Sequence, residues 1–260
     1  MNDHDVRLAG LRADPAMAPL HRSLAYYYGD EDRAAATDRL YAHFVRPGDL
    51  VFDVGAHVGD RVASFRRLGA RVVAVEPQPL CMRALDLLYG GDDRVTLVEA
   101  ACGDRTGTAR LHVNSANPTV STRSASFLSA AAGARGWEDQ VWDREITVRS
   151  VTLDGLIGRY GVPAFVKIDV EGYEDAVLAG LGRPVPALSF EFTTIARPVA
   201  RRCLDRAARL GARGFDASLG DSMTLTFGRW VGRRRMAEHL HRLPDDANAG
   251  DVYATWCPRA

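Results

Sequence analysis

Residues 51–60, VFDVGAHVGD, begin as an apolar, β-branched strand and then turn glycine-rich. Asp53, Gly55, Gly59 and a second acid, Asp60, follow within a few positions. A buried strand that runs straight into a carboxylate and a glycine turn brings the backbone close to something, because any Cβ would stand in the way.

The elements around this turn alternate. "LVFDVG" reads as a strand and "GDRVASFRRLG" as a helix closed by Gly69; "RVVAVEP" is a strand and "PLCMRALDLLYGG" a helix ending in glycines. "RVTLVEAACG" reads as one further strand and "GTARLHVN" as a short antiparallel strand or hairpin. The pattern resumes with "EITVRSVTLDGLI", the buried strand "AFVKIDVEG", the helix "YEDAVLAGLG", the strand "PALSFEFT" and the helix "ARPVARRCLDRAARLG". "FDASLGDSMTLTF" and "DVYATWC" read as two last strands with a basic helix over 232–243 between them. Such alternation predicts an α/β fold, a mostly parallel sheet with helices on both faces. Residues 1–47 read as an N-terminal helical arm, in which Leu40 and Phe44 share one helix face, and 48–260 as the doubly wound domain. The polar stretch 114–145 is too long for an ordinary connection and reads as a substrate lid or a disordered loop.

Composition narrows the classes. With 33 basic and 33 acidic residues in 260, the chain offers no general attraction for nucleic acid or acidic lipid. The four cysteines, Cys81, Cys102, Cys203 and Cys257, are far apart and suggest neither a zinc site nor a disulfide framework; Cys81 and Cys203 fall on apolar helix faces. No apolar run reaches membrane-spanning length and the first residues lack a signal-peptide core. A soluble, cytoplasmic protein with a small-molecule substrate, no nucleic-acid or membrane partner and an undetermined oligomeric state is the expectation.

Ligands of open α/β sheets sit beyond the carboxyl ends of the strands. A dinucleotide fingerprint would place a glycine where this turn has His57, and no Gly-Lys-Ser/Thr triplet marks a P-loop. The second strand ends in Glu76, placed to accept hydrogen bonds from ribose hydroxyls. An adenosine-type ligand without a pyrophosphate fits this pattern, and D-x-G-x-x-x-G followed by an acid ending strand two resembles the S-adenosylmethionine-dependent methyltransferases.

"FVRPGDLVFDVGAHVGD", "VVAVEPQP", "VEAACGDRTGTARL", "VTLDGL" and "FVKIDVEGYEDAVLAGL", in this order over about residues 40–195, resemble the FkbM family of methyltransferases. The resemblance implies a class I methyltransferase (Rossmann-like) fold with a seven-stranded sheet whose last strand is antiparallel. It also implies S-adenosyl-L-methionine as cofactor and O-methylation of a hydroxyl in a natural product or glycan. By motif, Asp53, Gly55 and Gly59 would line the methionine part, Glu76 would hold the ribose and Asp104 would lie near the adenine. His57, where the family usually has Asn, and Arg61, near a usual small hydroxyl residue, depart from the pattern.

For the chemistry, methyl transfer needs the partners aligned and a proton accepted. Asp169, at the end of the central strand, is the first candidate for base or orienting group, followed by Glu191 of "LSFEF" and then His57. Asp169 and Glu171 equally suit helix capping at the helix that follows, and Lys167 reads as a counter-ion to the acids. These carboxylates suit a divalent cation, an option the reading does not favour, and no metal ligand is assigned. Tyr26–Tyr28 either pack the arm on the core or close over the site. The hydroxyls of "NPTVSTRS" (117–124) bond a substrate or their own backbone. Arg233–Arg235 motivates the alternative of an RNA or protein methyltransferase, though no D/N-P-P-Y motif is present; a cofactor-binding module without catalysis is the third reading.

Overall fold

The computed structural model describes residues 3–257; the outermost positions of the expected arm and domain, 1–2 and 258–260, lie outside the described residues. The arm folds as α1 (Asp3–Ala13), α2 (His21–Tyr28) and α3 (Glu31–Tyr41). Helix α3 starts at Asp30, whose carboxylate accepts from Arg33 N at 2.9 Å, satisfying a free first-turn donor. Strands and helices then alternate: β1 (Leu50–Val54), α4 (Asp60–Arg67), β2 (Arg71–Glu76), α5 (Pro79–Tyr89), β3 (Val95–Glu99), β4 (Ala101–Cys102) and β5 (Gly107–Val113). They continue as α6 (Ala125–Ala131), β6 (Arg144–Val151), α7 (Leu153–Tyr160), β7 (Phe165–Ile168), α8 (Glu174–Ala179) and β8 (Ala187–Thr193). The remainder is α9 (Arg197–Arg209), β9 (Gly214–Leu219), α10 (Arg233–Arg242) and β10 (Ala249–Thr255).

Seven strands form one sheet in the order β3-β2-β1-β7-β8-β10-β9. β10 alone runs antiparallel, to β8 on one side and β9 on the other. This is the class I methyltransferase topology that the sequence predicts. The chain order reverses at β1, between β2 and β7, and that switch point opens a crevice at the carboxyl ends of the strands.

Side-chain alternation divides the core into two layers. Phe52, Val54, Val73 and Val75 face the layer filled by Leu156 of α7, Val177 of α8, Leu204 of α9 and Met236 of α10. Val51, Val72 and Ala74 face the other, where Val62 and Phe65 of α4 and Leu85 of α5 pack together with Leu11, Leu24 and Leu40 of the arm. The arm therefore completes one face of the sheet. Within that layer the register aligns a buried polar row across four strand pairs: Asp53 with Lys167, Lys167 with Ser189, Ser189 with Tyr253, and Tyr253 with Asp216.

Three segments differ from the sequence reading. "RVTLVEAACG" is two strands, because the chain turns at Ala100 and β4 leaves to form a second sheet, β4-β6-β5. Residues 114–145, read as a lid or a disordered loop, are packed in place. Phe127 and Trp137 are buried in an edge-on ring contact with centroids 5.1 Å apart, and Trp142 Nε1 donates to Val120 O at 2.8 Å. "FDASLGDSMTLTF" stops as a strand at Leu219; the chain folds back so that Phe227 N donates to Asp216 Oδ1 at 2.9 Å. Among the described residues no helix is long and apolar enough to cross a membrane.

Candidate functional site

The glycine turn after β1 is built by contacts that the sequence could not display. Gly55 has φ +86°, and a Cβ there would fall on the carbonyl oxygen of Asp169. Its glycine is demanded by the close passage of the β7 segment, where the sequence reading placed a ligand. Gly59, φ +82°, sits at the start of α4, and a Cβ would stand 2.6 Å from the Tyr89 ring. Tyr89 OH donates to Gly59 O at 2.8 Å, and Tyr28 OH donates to Val58 O at 2.9 Å. Gly59 thus packs helices together and does not reach the crevice.

Between the two glycines His57 takes a left-handed conformation, φ +46°. Its backbone N–H donates to Glu76 Oε2 at 3.0 Å, and Gln78 N donates to Glu76 Oε1 at 2.9 Å. The Glu76 carboxylate therefore ties the turn after β1 to the turn after β2. Glu76 is 2% exposed, and burial lifts its pKa from 4.5 to about 7 against the pull of those backbone donors.

A cavity of about 150 Å³, open at its mouth, lies over these strand ends. Its wall changes character in sheet order. Ala100, Ala101 and Cys102, with Leu111, give an apolar slot beyond β3; Glu76 follows at the end of β2, and Gly55 and His57 beyond β1. Asp169 and Glu171 lie past β7, and Glu191 near the end of β8. The structure thus brings Gly55, Glu76, His57, Asp169 and Glu191 to one cavity. It keeps Asp53, Gly59 and Asp104 off the wall. Asp53 is fully buried beneath it, Oδ1 3.9 Å from Lys167 Nζ. Asp104 is exposed on the surface, and Ala101 and Cys102 occupy the wall on that side.

Lys167 organises the acids. Its ammonium donates to Asp169 Oδ2 at 2.9 Å. Burial alone would raise the Asp169 pKa, but the Lys167 charge and hydrogen bond, with Arg61, hold it below the ordinary carboxylate value. Asp53, with burial winning over Lys167, rises to about 6. Burial, and then the Asp169 and Glu171 charges, push Glu191 well above its ordinary value. Glu171 moves the same way through burial and the Asp169 and Glu174 charges.

His57, on the cavity wall, has both ring nitrogens engaged. Nδ1 lies 3.4 Å from Cys81 Sγ and Nε2 3.2 Å from Thr119 Oγ1, and burial lowers its pKa to about 4, so the ring is neutral with both nitrogens engaged. The three tyrosines separate: Tyr28 packs the arm, Tyr26 donates to Asp221 Oδ2 at 2.7 Å at the surface, and Tyr27 lines the cavity. The 117–124 hydroxyls serve neither a free surface nor only their own loop. Ser121 Oγ donates to Gln78 Oε1 at 3.0 Å, and Thr122 Oγ1 donates to Glu171 O at 2.6 Å.

Arg61 is the wall residue the sequence reading left without a role. It donates to Asp60 Oδ2 at 2.8 Å and to Asp221 Oδ1 at 3.3 Å, while its buried Nε has no partner. Its departure from the family pattern was the available signal. The basic α10 cluster is taken up locally, Arg233 by Asp205 at 2.6 Å and Arg234 by Glu238 at 3.0 Å.

Residues 53–198 match the family model described as the methyltransferase FkbM domain. The 31-O-demethyl-FK506 methyltransferase FkbM of Streptomyces tacrolimicus is 33% identical over 178 residues, 57% of this chain and 66% of that protein. The hexuronic acid methyltransferase AglP of Haloferax volcanii is 26% identical over 161 residues, 60% of each. The chain thus matches just under two thirds of the length of each of these relatives. Among solved structures, precorrin-6y C5,15-methyltransferase from Geobacter metallireducens aligns at a TM-score of 0.41 and 13% identity, covering 86% of this chain and 87% of that one.

Proposed function

Because the chain belongs to the FkbM methyltransferase family, we propose that it is an S-adenosylmethionine-dependent O-methyltransferase acting on a hydroxyl of a small polar molecule. The observation that carries this reading is the order of the cavity wall: an apolar slot, then a buried carboxylate, then a glycine turn, then an acidic end. A nucleoside with a charged tail has the same sequence of needs. Ala101, Cys102 and Leu111 suit an adenine, and the Glu76 lone pairs left over by His57 N and Gln78 N suit a ribose diol. The 55–57 backbone would flank the methionine part, with Asp53 and Gly59 supporting that turn from behind.

The cofactor brings an electrophilic methyl, so the protein's share is alignment and proton acceptance. Lys167 keeps Asp169 ionised, which suits it to orient a hydroxyl donor. Glu191, raised by burial and the neighbouring acids, is the second candidate for proton acceptance. Tyr27 and Arg61 complete the wall of the cavity. The relatives' names, one for a 31-O-demethyl compound and one for a hexuronic acid, support an oxygen acceptor on a small molecule.

Calorimetric titration with S-adenosylmethionine and S-adenosylhomocysteine tests the reading. Saturable binding that weakens in Glu76→Ala is expected; no heat at millimolar ligand refutes it.

A further inference from the structure

The acidic end of the cavity holds more carboxylate than proton acceptance requires. Asp169, Glu171 and Glu191 each bring an oxygen to within 4.8 Å of the other two. Opposite ligands of a hard divalent cation stand roughly 4–5 Å apart, at bond lengths of about 2.1–2.5 Å.

Glu171 sets this cluster apart from an ordinary group of acids. It is 8% exposed and lines the cavity, yet its carboxylate has no hydrogen bond and no ion pair among the described residues. The neighbouring chain nevertheless holds it in place. Glu174 Oε1 accepts from both Val170 N and Gly172 N at 3.1 Å, Thr122 binds the Glu171 carbonyl, and Glu171 sits at φ +56°. A second buried acceptor, Glu191 Oε2, is also without a partner. Lys167 engages Asp169 through Oδ2, and the Asp169 and Glu191 carboxyl groups lie within hydrogen-bonding reach of each other.

We propose that Asp169, Glu171 and Glu191 form a binding site for one hard divalent cation, of the magnesium or manganese type, at the substrate end of the cavity. Oxygen ligands of this kind and number, with room for water or a substrate oxygen on the open side, are what such ions take. The cation adds positive charge to a cluster in which Lys167 engages Asp169 alone, and it polarises a substrate hydroxyl held against it. Its role in methyl transfer rests on the function proposed above; the site itself does not.

The test is therefore made without cofactor or substrate. Free Mn²⁺ is followed by electron paramagnetic resonance during titration into the full chain, and Mg²⁺ is added to compete. One displaceable Mn²⁺ per chain is expected. Glu171→Gln and Glu191→Gln should each weaken it by at least about tenfold, since even the outer partners of a bound metal produce effects of that size. Glu99→Gln, at an exposed strand end away from the cavity, should bind as the wild type does. Circular dichroism checks that the variants fold, and either glutamine variant alone suffices if the other does not. No bound Mn²⁺ at millimolar metal, or unchanged affinity in a folded glutamine variant, overturns the site. Calorimetry with S-adenosylmethionine on the same samples separates the two ideas: a wild type that binds cofactor but no Mn²⁺ rejects the cation site and leaves the methyltransferase reading standing.

Discussion

Replacing Glu76 by Ala should do more than weaken a ligand. The substitution strips the acceptor from two buried backbone donors, His57 N and Gln78 N. At about 1–3 kcal/mol for each unsatisfied donor, the loss is about 2–6 kcal/mol of stability. An opposite contribution depends on pH. Burial raises the folded-state pKa from 4.5 to about 7, so the native protein keeps a proton that the unfolded chain releases across that window. The stability linked to this group is therefore complete below pH 4.5, declines as pH rises, and by pH 8 is lower by about 3 kcal/mol. Alanine removes that dependence. Glu76→Ala should thus be destabilised by roughly 2–6 kcal/mol near pH 5 and by about 3 kcal/mol less than that at pH 8. Urea unfolding of both proteins at the two pH values measures the difference. Equal destabilisation at both would show that the carboxyl is not buried in this way. Cofactor affinity at pH 8 should fall by roughly 10- to 150-fold, the worth of about 1.5–3 kcal/mol for hydrogen bonds to a charged group. Near pH 7, binding to wild type should release a proton, seen as a binding heat that changes with the ionisation enthalpy of the buffer.

Gly55→Ala should lose more than about 4 kcal/mol, or fail to give soluble protein, because its Cβ meets the Asp169 carbonyl. Gly48→Ala, with φ +87° but open space around it, should lose only about 1–2 kcal/mol by thermal unfolding. Lys167→Met leaves Asp53 and Asp169 without their cation and should cost about 3–5 kcal/mol in urea titrations; a stability close to wild type would show that the acids are paired elsewhere. Tyr28→Phe, which removes the hydroxyl joining the arm to Val58 O and Tyr89, should lower stability by about 1 kcal/mol without altering cofactor affinity.

Period and punctuation carried most of the fold. The apolar runs ending at Val54, Glu76 and Ile168 alternate with amphipathic helices, and that pattern alone implies a parallel sheet with its crevice at the β1 turn. The acids at the strand ends were legible for the same reason, since alternation places Lys167 and Asp169 on one face. What sequence could not show was which neighbour each residue meets. Gly55 and Gly59 look alike in the motif, yet one clears a carbonyl of β7 and the other a tyrosine of α5. Glu76 reads as a ligand residue, but its structural bonds run to positions 57 and 78. Asp104 lies just beyond a strand that switches sheets, and that switch carries it to the surface. The 114–145 insertion reads as polar, while its order comes from a few aromatics, Phe127, Trp137 and Trp142, that find each other only in space.

The position of β10 ties the completion of the sheet to its last strand. β9 reaches the sheet only through β10, and β10 is the last strand of the sheet to be synthesised. While a nascent chain is growing, β1, β2, β3, β7 and β8 can pair in turn, but β9 must wait with its backbone unmatched. The wait ends when residues 249–255 slide between it and β8 and place Asp251 beside Glu191. An incompletely translated chain would expose a raw strand edge at β8, a hazard that the last strand removes.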